Sequence, residues 1–139
     1  MSNREIIEIF GGLRFEVMIS SQDSNSTCCA LIESTPPNGG PPIHKHLREE
    51  EIFTVVEGEY EFYRQGEWLP MAHGVPILSP RDTYHAFRNV GAAVGKMLLF
   101  TNGGGLDDYF RSIANLKFPE EADRFDLISR SYGYIYKDV

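Results

Sequence analysis

Three histidines and one glutamate stand at spacings that let a single metal ion take all four. His44, His46 and Glu51 lie in GGPPIHKHLREEEIFTVVEG and His85 in GVPILSPRDTYHAFRN, so two segments hold three of the four histidines in the chain. Imidazole and carboxylate together suit one divalent first-row ion: iron, manganese, nickel, copper or zinc. In a strand, residues two apart point the same way, so His44 and His46 can face one interior point. Glu51 begins an apolar run whose parity places Phe53 and Val55 on the same inward face. His85 shares a face with Phe87 and Asn89 and needs a tertiary contact to join the others. Glu49 and Glu50 compete for the carboxylate role, but Glu51 has the better parity, and the other two are expected in solvent or at a pocket mouth. His73 precedes Gly74 in an apparent turn and is expected to be exposed and uninvolved.

Four protein ligands leave open positions on a five- or six-coordinate ion, which marks a catalytic site rather than a closed structural one. Ligand parity makes Phe53, Val55 and Phe87 pocket candidates. Tyr60 and Phe62 join them because they alternate with Glu59 and Glu61, which prefer solvent. Such a lining suits a small aromatic or enol-type substrate better than a free sugar. A redox-active metal there would support a dioxygenase, an oxidoreductase in which the ion acts as Lewis acid and template. An isomerase or lyase is the alternative, although it needs a general base and only Tyr60, Glu49 or Glu50 offers one. A non-catalytic small-molecule binder is the third reading.

The elements that must position these residues are short strands. Residues 5–9 and 13–20 alternate around Gly11-Gly12, and 27–34 form another strand before the Pro/Gly block PPNGGPP, which must be a loop. EIFTVVEGEYEFYRQGEW reads as two strands joined at Gly58, and PILS, YHAFRNV and KMLLFT supply three more. Many short strands between turn residues predict an all-β barrel or jelly roll. The last third differs: Leu106, Phe110, Ile113 and Leu116 share a helical face, and Pro119 is expected to open a second helix that Gly133 ends. The expected organisation is one domain over 1–139, with a barrel over about 5–102 and helices over about 105–131 packed outside as core cover.

Composition narrows the function. The formal charge of −7, with no basic stripe, argues against nucleic acid and against an anionic membrane surface. Met1 to Phe10 holds no signal-peptide core, and no stretch approaches a membrane span. Cys28 and Cys29 are adjacent, so in a strand they point to opposite faces and an ordinary disulfide between them is not expected. Two reduced cysteines fit a cytoplasmic protein acting on a small molecule.

At these residues the sequence resembles the cupin superfamily. The first family motif, Gly-x5-His-x-His-x3–4-Glu-x6-Gly, is matched by His44, His46, Glu51 and Gly58, with Asn38 where the leading glycine would stand. The second, Gly-x5-Pro-x-Gly-x2-His-x3-Asn, is matched by Gly74, Pro80, His85 and Asn89, with Asp82 replacing its second glycine. Asp tolerates left-handed backbone better than most residues, so this departure threatens the fold little. EEEIFTVVEGEYEFY, HAFRNVG, GGGLDDYFRS and the terminal RSYGYIY extend the likeness toward small single-domain cupins of the quercetin-dioxygenase-like type. The resemblance implies a double-stranded β-helix, a metal on the same four residues and, as in many small cupins, a homodimer. An open barrel edge needs covering, and the alternating segment 5–20 is long enough to take part.

Overall fold

The computed structural model describes residues 4–137 and carries eleven strands and two helices in that span. Two antiparallel sheets face each other. One has the order β1 (Ile6–Ile9), β2 (Leu13–Ile19), β3 (Cys29–Thr35), β10 (Gly95–Thr101), β5 (Glu51–Glu57) and β8 (Ile77–Ser79). The other has the order β11 (Tyr134–Tyr136), β4 (His44–His46), β9 (His85–Asn89), β6 (Tyr60–Arg64) and β7 (Glu67–Pro70). This is the expected jelly roll, a double-stranded β-helix.

Period-2 alternation drives the packing. Cys29, Leu31, Glu33 and Thr35 of β3 are buried, as are Met97, Leu99 and Thr101 of β10 and Glu51, Phe53 and Val55 of β5. The three strands are in register, with Leu99 between Leu31 and Phe53, and Thr101 between Cys29 and Glu51. That register carries Glu51 to the end of the barrel where His44 pairs with His85 across the opposite sheet. Cys29 is buried and Cys28 half-buried, and both are free thiols.

The turns use left-handed backbone where the sequence allows it. Asn38 has φ 66° and Asp82 has φ 60°, so the two residues standing for family glycines take the glycine conformation. Asp82 N–H donates to the His46 carbonyl at 2.7 Å and its carboxylate meets Lys45 Nζ at 2.8 Å, which ties the second motif to the first. Gly40 is required for space, because a Cβ there would lie 2.1 Å from the Phe87 carbonyl oxygen.

Several boundaries differ from expectation. The span 51–68 holds three strands rather than two, because Gln65 (φ 51°) and Gly66 (φ 82°) make a second tight turn that starts β7 at Glu67. Helix α1 (Leu106–Ile113) buries Leu106, Tyr109, Phe110 and Ile113, but Leu116 lies beyond its end. Pro119 does not open the second helix. Residues 118–121 are a turn, with Ala122 N–H donating to the Pro119 carbonyl, and α2 runs Ala122–Ser131. Gly133 (φ 86°) ends it as expected and turns the chain into β11, a strand not anticipated. No helix among the described residues is long and apolar enough to cross a membrane.

Candidate metal centre

His44, His46, Glu51 and His85 converge: each offers one ligand atom, and these atoms all lie within 4.8 Å of one another. The three imidazoles come from adjacent strands of one sheet, and the carboxylate comes from the facing sheet. His46, Glu51 and His85 are buried, and His44 is half-buried.

Each ring is oriented from behind by an acceptor at Nδ1. His44 Nδ1 lies 2.7 Å from the Pro42 carbonyl, His46 Nδ1 lies 3.2 Å from Glu49 Oε1, and His85 Nδ1 lies 2.9 Å from Ser79 Oγ and 3.3 Å from the Thr83 carbonyl. A carbonyl or carboxylate can only accept, so the proton sits on Nδ1 and each Nε2 turns a lone pair inward. Nε2 of His46 and of His85 lie 3.3 and 3.2 Å from Glu51 Oε1. His85 Nε2 is fully buried without a hydrogen bond, because a nitrogen carrying a lone pair has no proton to give the Glu51 carboxylate. A buried imidazole lone pair with no donor is costly unless a cation takes it. That lone pair, the other two inward Nε2 atoms and one carboxylate oxygen fit a divalent first-row ion.

The electrostatics agree. Burial, with His85 and His46 beside it, holds the His44 imidazole well below its usual pKa, and therefore neutral. Burial opposes ionisation of Glu51, but His46 and His85 outweigh it and hold the carboxyl below its ordinary range. A neutral imidazole and an ionised carboxylate are the forms that ligate.

The loop between the ligand strands contains a residue placed otherwise than the sequence suggested. Glu49 is not at a pocket mouth: it is buried, accepting from His46 Nδ1 and, at 2.6 Å, from the Tyr134 hydroxyl. Glu50 does face outward, where Arg81 clasps it at 2.6 and 2.8 Å. Asn102 Oδ1 accepts from its backbone N–H at 2.9 Å. The Arg81 hydrogen bonds draw the Glu50 carboxyl pKa down to about 2. His73 is exposed and bonds the Gly58 carbonyl, away from the cluster.

A narrow cavity of about 30 Å³ adjoins the ligands, with room for about two waters. Phe53 and Phe87 line it. Val55, Tyr60 and Phe62 do not: they are buried in the core beside it, Phe62 stacked parallel to His85 at 6.0 Å and Tyr60 donating to Thr35 Oγ1 at 2.8 Å. The rest of the wall comes from elements outside the two motifs, chiefly Phe10, Phe15, Tyr109, Phe110, Tyr134 and Tyr136. Tyr136 stacks on His44 at 5.2 Å and Tyr134 meets His46 edge-on at 4.5 Å, because β11 pairs with β4. Helix α1 is therefore part of the pocket wall as well as core cover. The alternation Tyr134-Ile135-Tyr136 after Gly133 was the available signal for β11, and Glu49 carried none, since loop parity is undefined.

Known proteins agree with this construction. The solved structures similar to it include KdgF from Halomonas sp. (TM-score 0.62, 19% identity, covering 75% of this chain and 91% of that one). A predicted oxalate decarboxylase from Thermotoga maritima gives TM-score 0.62 at 22% identity, covering 73% and 92%. A sugar phosphate isomerase from Silicibacter pomeroyi gives TM-score 0.61 at 19% identity, covering 71% and 69%. At such identities the likeness is one of fold. Among curated proteins, polyketide synthase CurC of Streptomyces cyaneus is 38% identical over 55 residues, 40% of this chain and 36% of that protein, so the match spans about a third of the relative. The Cupin domain model matches residues 31–101, just over half of the chain and both motifs, and with the jelly roll and its His/His/Glu/His cluster this shows that the chain belongs to the cupin family.

Proposed function

We propose that this cupin is a metal-dependent oxygenase acting on a small aromatic or enol-type substrate, and that His44, His46, Glu51 and His85 hold its metal. The observation that carries the reading is the cavity wall. Apart from the ligands it is aliphatic, aromatic and tyrosyl, and Glu51 is its one carboxylate. Proton-transfer catalysis needs a base within reach of the substrate, and the described wall offers no carboxylate or imidazole for it that is not a ligand. A divalent ion held by the four residues supplies Lewis-acid polarisation of the substrate oxygens and, where redox-active, the electron chemistry that dioxygen requires.

The chain's own residues do the rest. Phe15, Phe53, Phe87 and Phe110 exclude water and favour a flat apolar body. The hydroxyls of Tyr109 and Tyr136 are hydrogen-bonded at 3.0 Å, and burial, then the neighbouring Tyr109, pushes the Tyr136 phenol well above its ordinary pKa. It stays protonated, a donor toward a substrate oxygen beside His44. The name of the CurC relative speaks of polyketide synthesis, and polyketides are rich in enolisable 1,3-dicarbonyls, the substrate type this wall suits.

A second reading, isomerisation or elimination, draws on the same tyrosines, whose phenols could pass a proton. The two readings part on oxygen. Protein reconstituted separately with Fe(II), Mn(II), Ni(II), Cu(II) and Zn(II) is offered flavonols, enediols and 1,3-diketones in air and under argon. Oxygenation requires substrate-dependent oxygen uptake with a redox-active ion and none with zinc. Equal turnover under argon overturns it in favour of the second reading.

A further inference from the structure

Building on the oxygenase reading, we infer that the groove between β1 and the end of α1 is the second half of the substrate site. It holds the outer rings of an uncharged, flat, multi-ring enol whose oxygens reach the metal centre. A dry cavity of about 150 Å³ takes one benzene ring, so the inner cavity of about 30 Å³ holds none as it stands. The groove beside it measures about 750 Å³, within the range of about 300–1,000 Å³ found for ligand pockets. Ile9 and Phe10 line both spaces, so one short stretch of chain separates them.

An aromatic run joins the ligands to the groove. Tyr136 stacks on His44 at 5.2 Å, Phe125 meets Tyr136 at 5.1 Å, and Phe118 meets Phe125 edge-on at 5.4 Å. Phe10 stands beside this run, edge-on to both Phe125 and Tyr136. Rings at such separations offer a flat guest an aromatic face or edge at each step. Phe118 is 52% and Ile6 53% exposed, although both line the groove. Apolar groups left in water around a concave space that adjoins a buried polar centre are the pattern of a ligand site. Phe10 is held at φ 49°, a left-handed conformation that bulky residues rarely take and that recurs at ligand clamps.

The charge of the groove selects the body. Its charged wall residues are Glu5, Glu8 and Arg111, two carboxylates against one guanidinium. Arg111 is already engaged by three carboxylates, Glu5 at 2.8 Å, Asp107 at 3.0 Å and Asp108 at 2.7 Å. An anionic body would therefore meet net negative charge and an occupied cation, on a chain whose net charge is −7. A neutral, flat body meets Ile113, Leu116, Phe118 and Phe125 instead.

Maltol and 3-hydroxyflavone share one enol-ketone head, and only the second carries a flat body of further rings. Titrated into zinc-loaded protein, where no oxygen chemistry follows, 3-hydroxyflavone should bind about 10-fold more tightly than maltol. A derivative sulfonated on its phenyl ring should bind about 10-fold more weakly than its parent. Phe118→Asp and Leu116→Asp, at partly exposed positions of the groove, should each lower 3-hydroxyflavone affinity several-fold while maltol affinity and zinc content stay as in wild type. Equal affinity for maltol and 3-hydroxyflavone overturns the groove's role, as does wild-type 3-hydroxyflavone affinity in both folded variants. Sulfonate binding as tight as the parent's overturns the selection of an uncharged body. Binding to the zinc protein involves no turnover, so a failure here is distinct from a failure of the oxygenase reading, which oxygen uptake alone decides.

Discussion

Behind each ligand imidazole stands an acceptor, and the acceptors differ in kind. Pro42 and Thr83 offer backbone carbonyls, which no side-chain change can remove, but His46 depends on the Glu49 carboxylate, itself fixed by Tyr134. Groups that hold a ligating histidine in one tautomer typically contribute 10- to 100-fold to metal affinity. Glu49→Gln keeps the shape and loses the charge, so metal affinity measured against a competing chelator should fall about 10-fold. Glu49→Ala should lower it further, and unchanged affinity in both would show that Glu49 is packing alone. Replacing His44, His46, Glu51 or His85 with Ala should weaken metal retention and abolish any metal-dependent turnover while the barrel stays folded, because the core draws on both sheets. His73→Ala is the control, and metal analysis should find it like wild type.

At the scale of elements, strand parity made the ligands legible. The placing of His44 with His46, of Glu51 with Phe53, and of His85 with Phe87 follows from a period of two, and the structure keeps all three pairs on inward faces. Parity does not say which inward residues sit near the metal and which lie deeper, and so it does not separate Val55, Tyr60 and Phe62 from Phe53 and Phe87. It is silent on loops, which hid Glu49, and weak over three residues, which hid β11 and its two tyrosines. The β1–β2 turn was legible as a turn but not as a wall. Phe10 there has φ 49°, meets Phe125 and Tyr136 edge-on at 5.9 and 6.0 Å, and lines both the inner cavity and an outer groove of about 750 Å³. The inner cavity, at about 30 Å³, admits an aromatic substrate only when a wall side chain moves, and Ile9 and the bulkier Phe10 are the residues that line both it and the groove. Phe10→Ala should join the two spaces and speed removal of bound metal by a flat aromatic chelator several-fold, with equilibrium metal affinity little changed. Stopped-flow chelation reads the rate, and an unchanged rate would place the route elsewhere.

The whole molecule also carries a buried acid, Glu33, far from the ligands. Glu33 lies four residues along β3 from Cys29, whose register partner Thr101 pairs with Glu51, so the metal centre and Glu33 occupy opposite halves of the barrel. It is fully buried, accepts from the Thr35 hydroxyl at Oε1, and has no partner at Oε2. The Tyr60 hydroxyl bonds Thr35 in turn. Burial pushes its pKa from an ordinary 4.5 up to about 8. Between these values the folded chain keeps a proton that the unfolded chain releases, so the folded state binds more protons and stability falls as pH rises. The contribution is fully present below about pH 4.5 and is lost progressively up to about pH 8, on the order of 3–5 kcal/mol in all. Glu33→Gln keeps the volume and removes the titration. Its melting temperature should match that of wild type near pH 4.5, exceed it increasingly toward pH 8, and keep a constant margin above. The difference between the two proteins isolates Glu33 from every other group. Parallel melting curves across pH 5–9 would mean that Glu33 is ionised in the fold, its charge met by a group or water reaching Oε2.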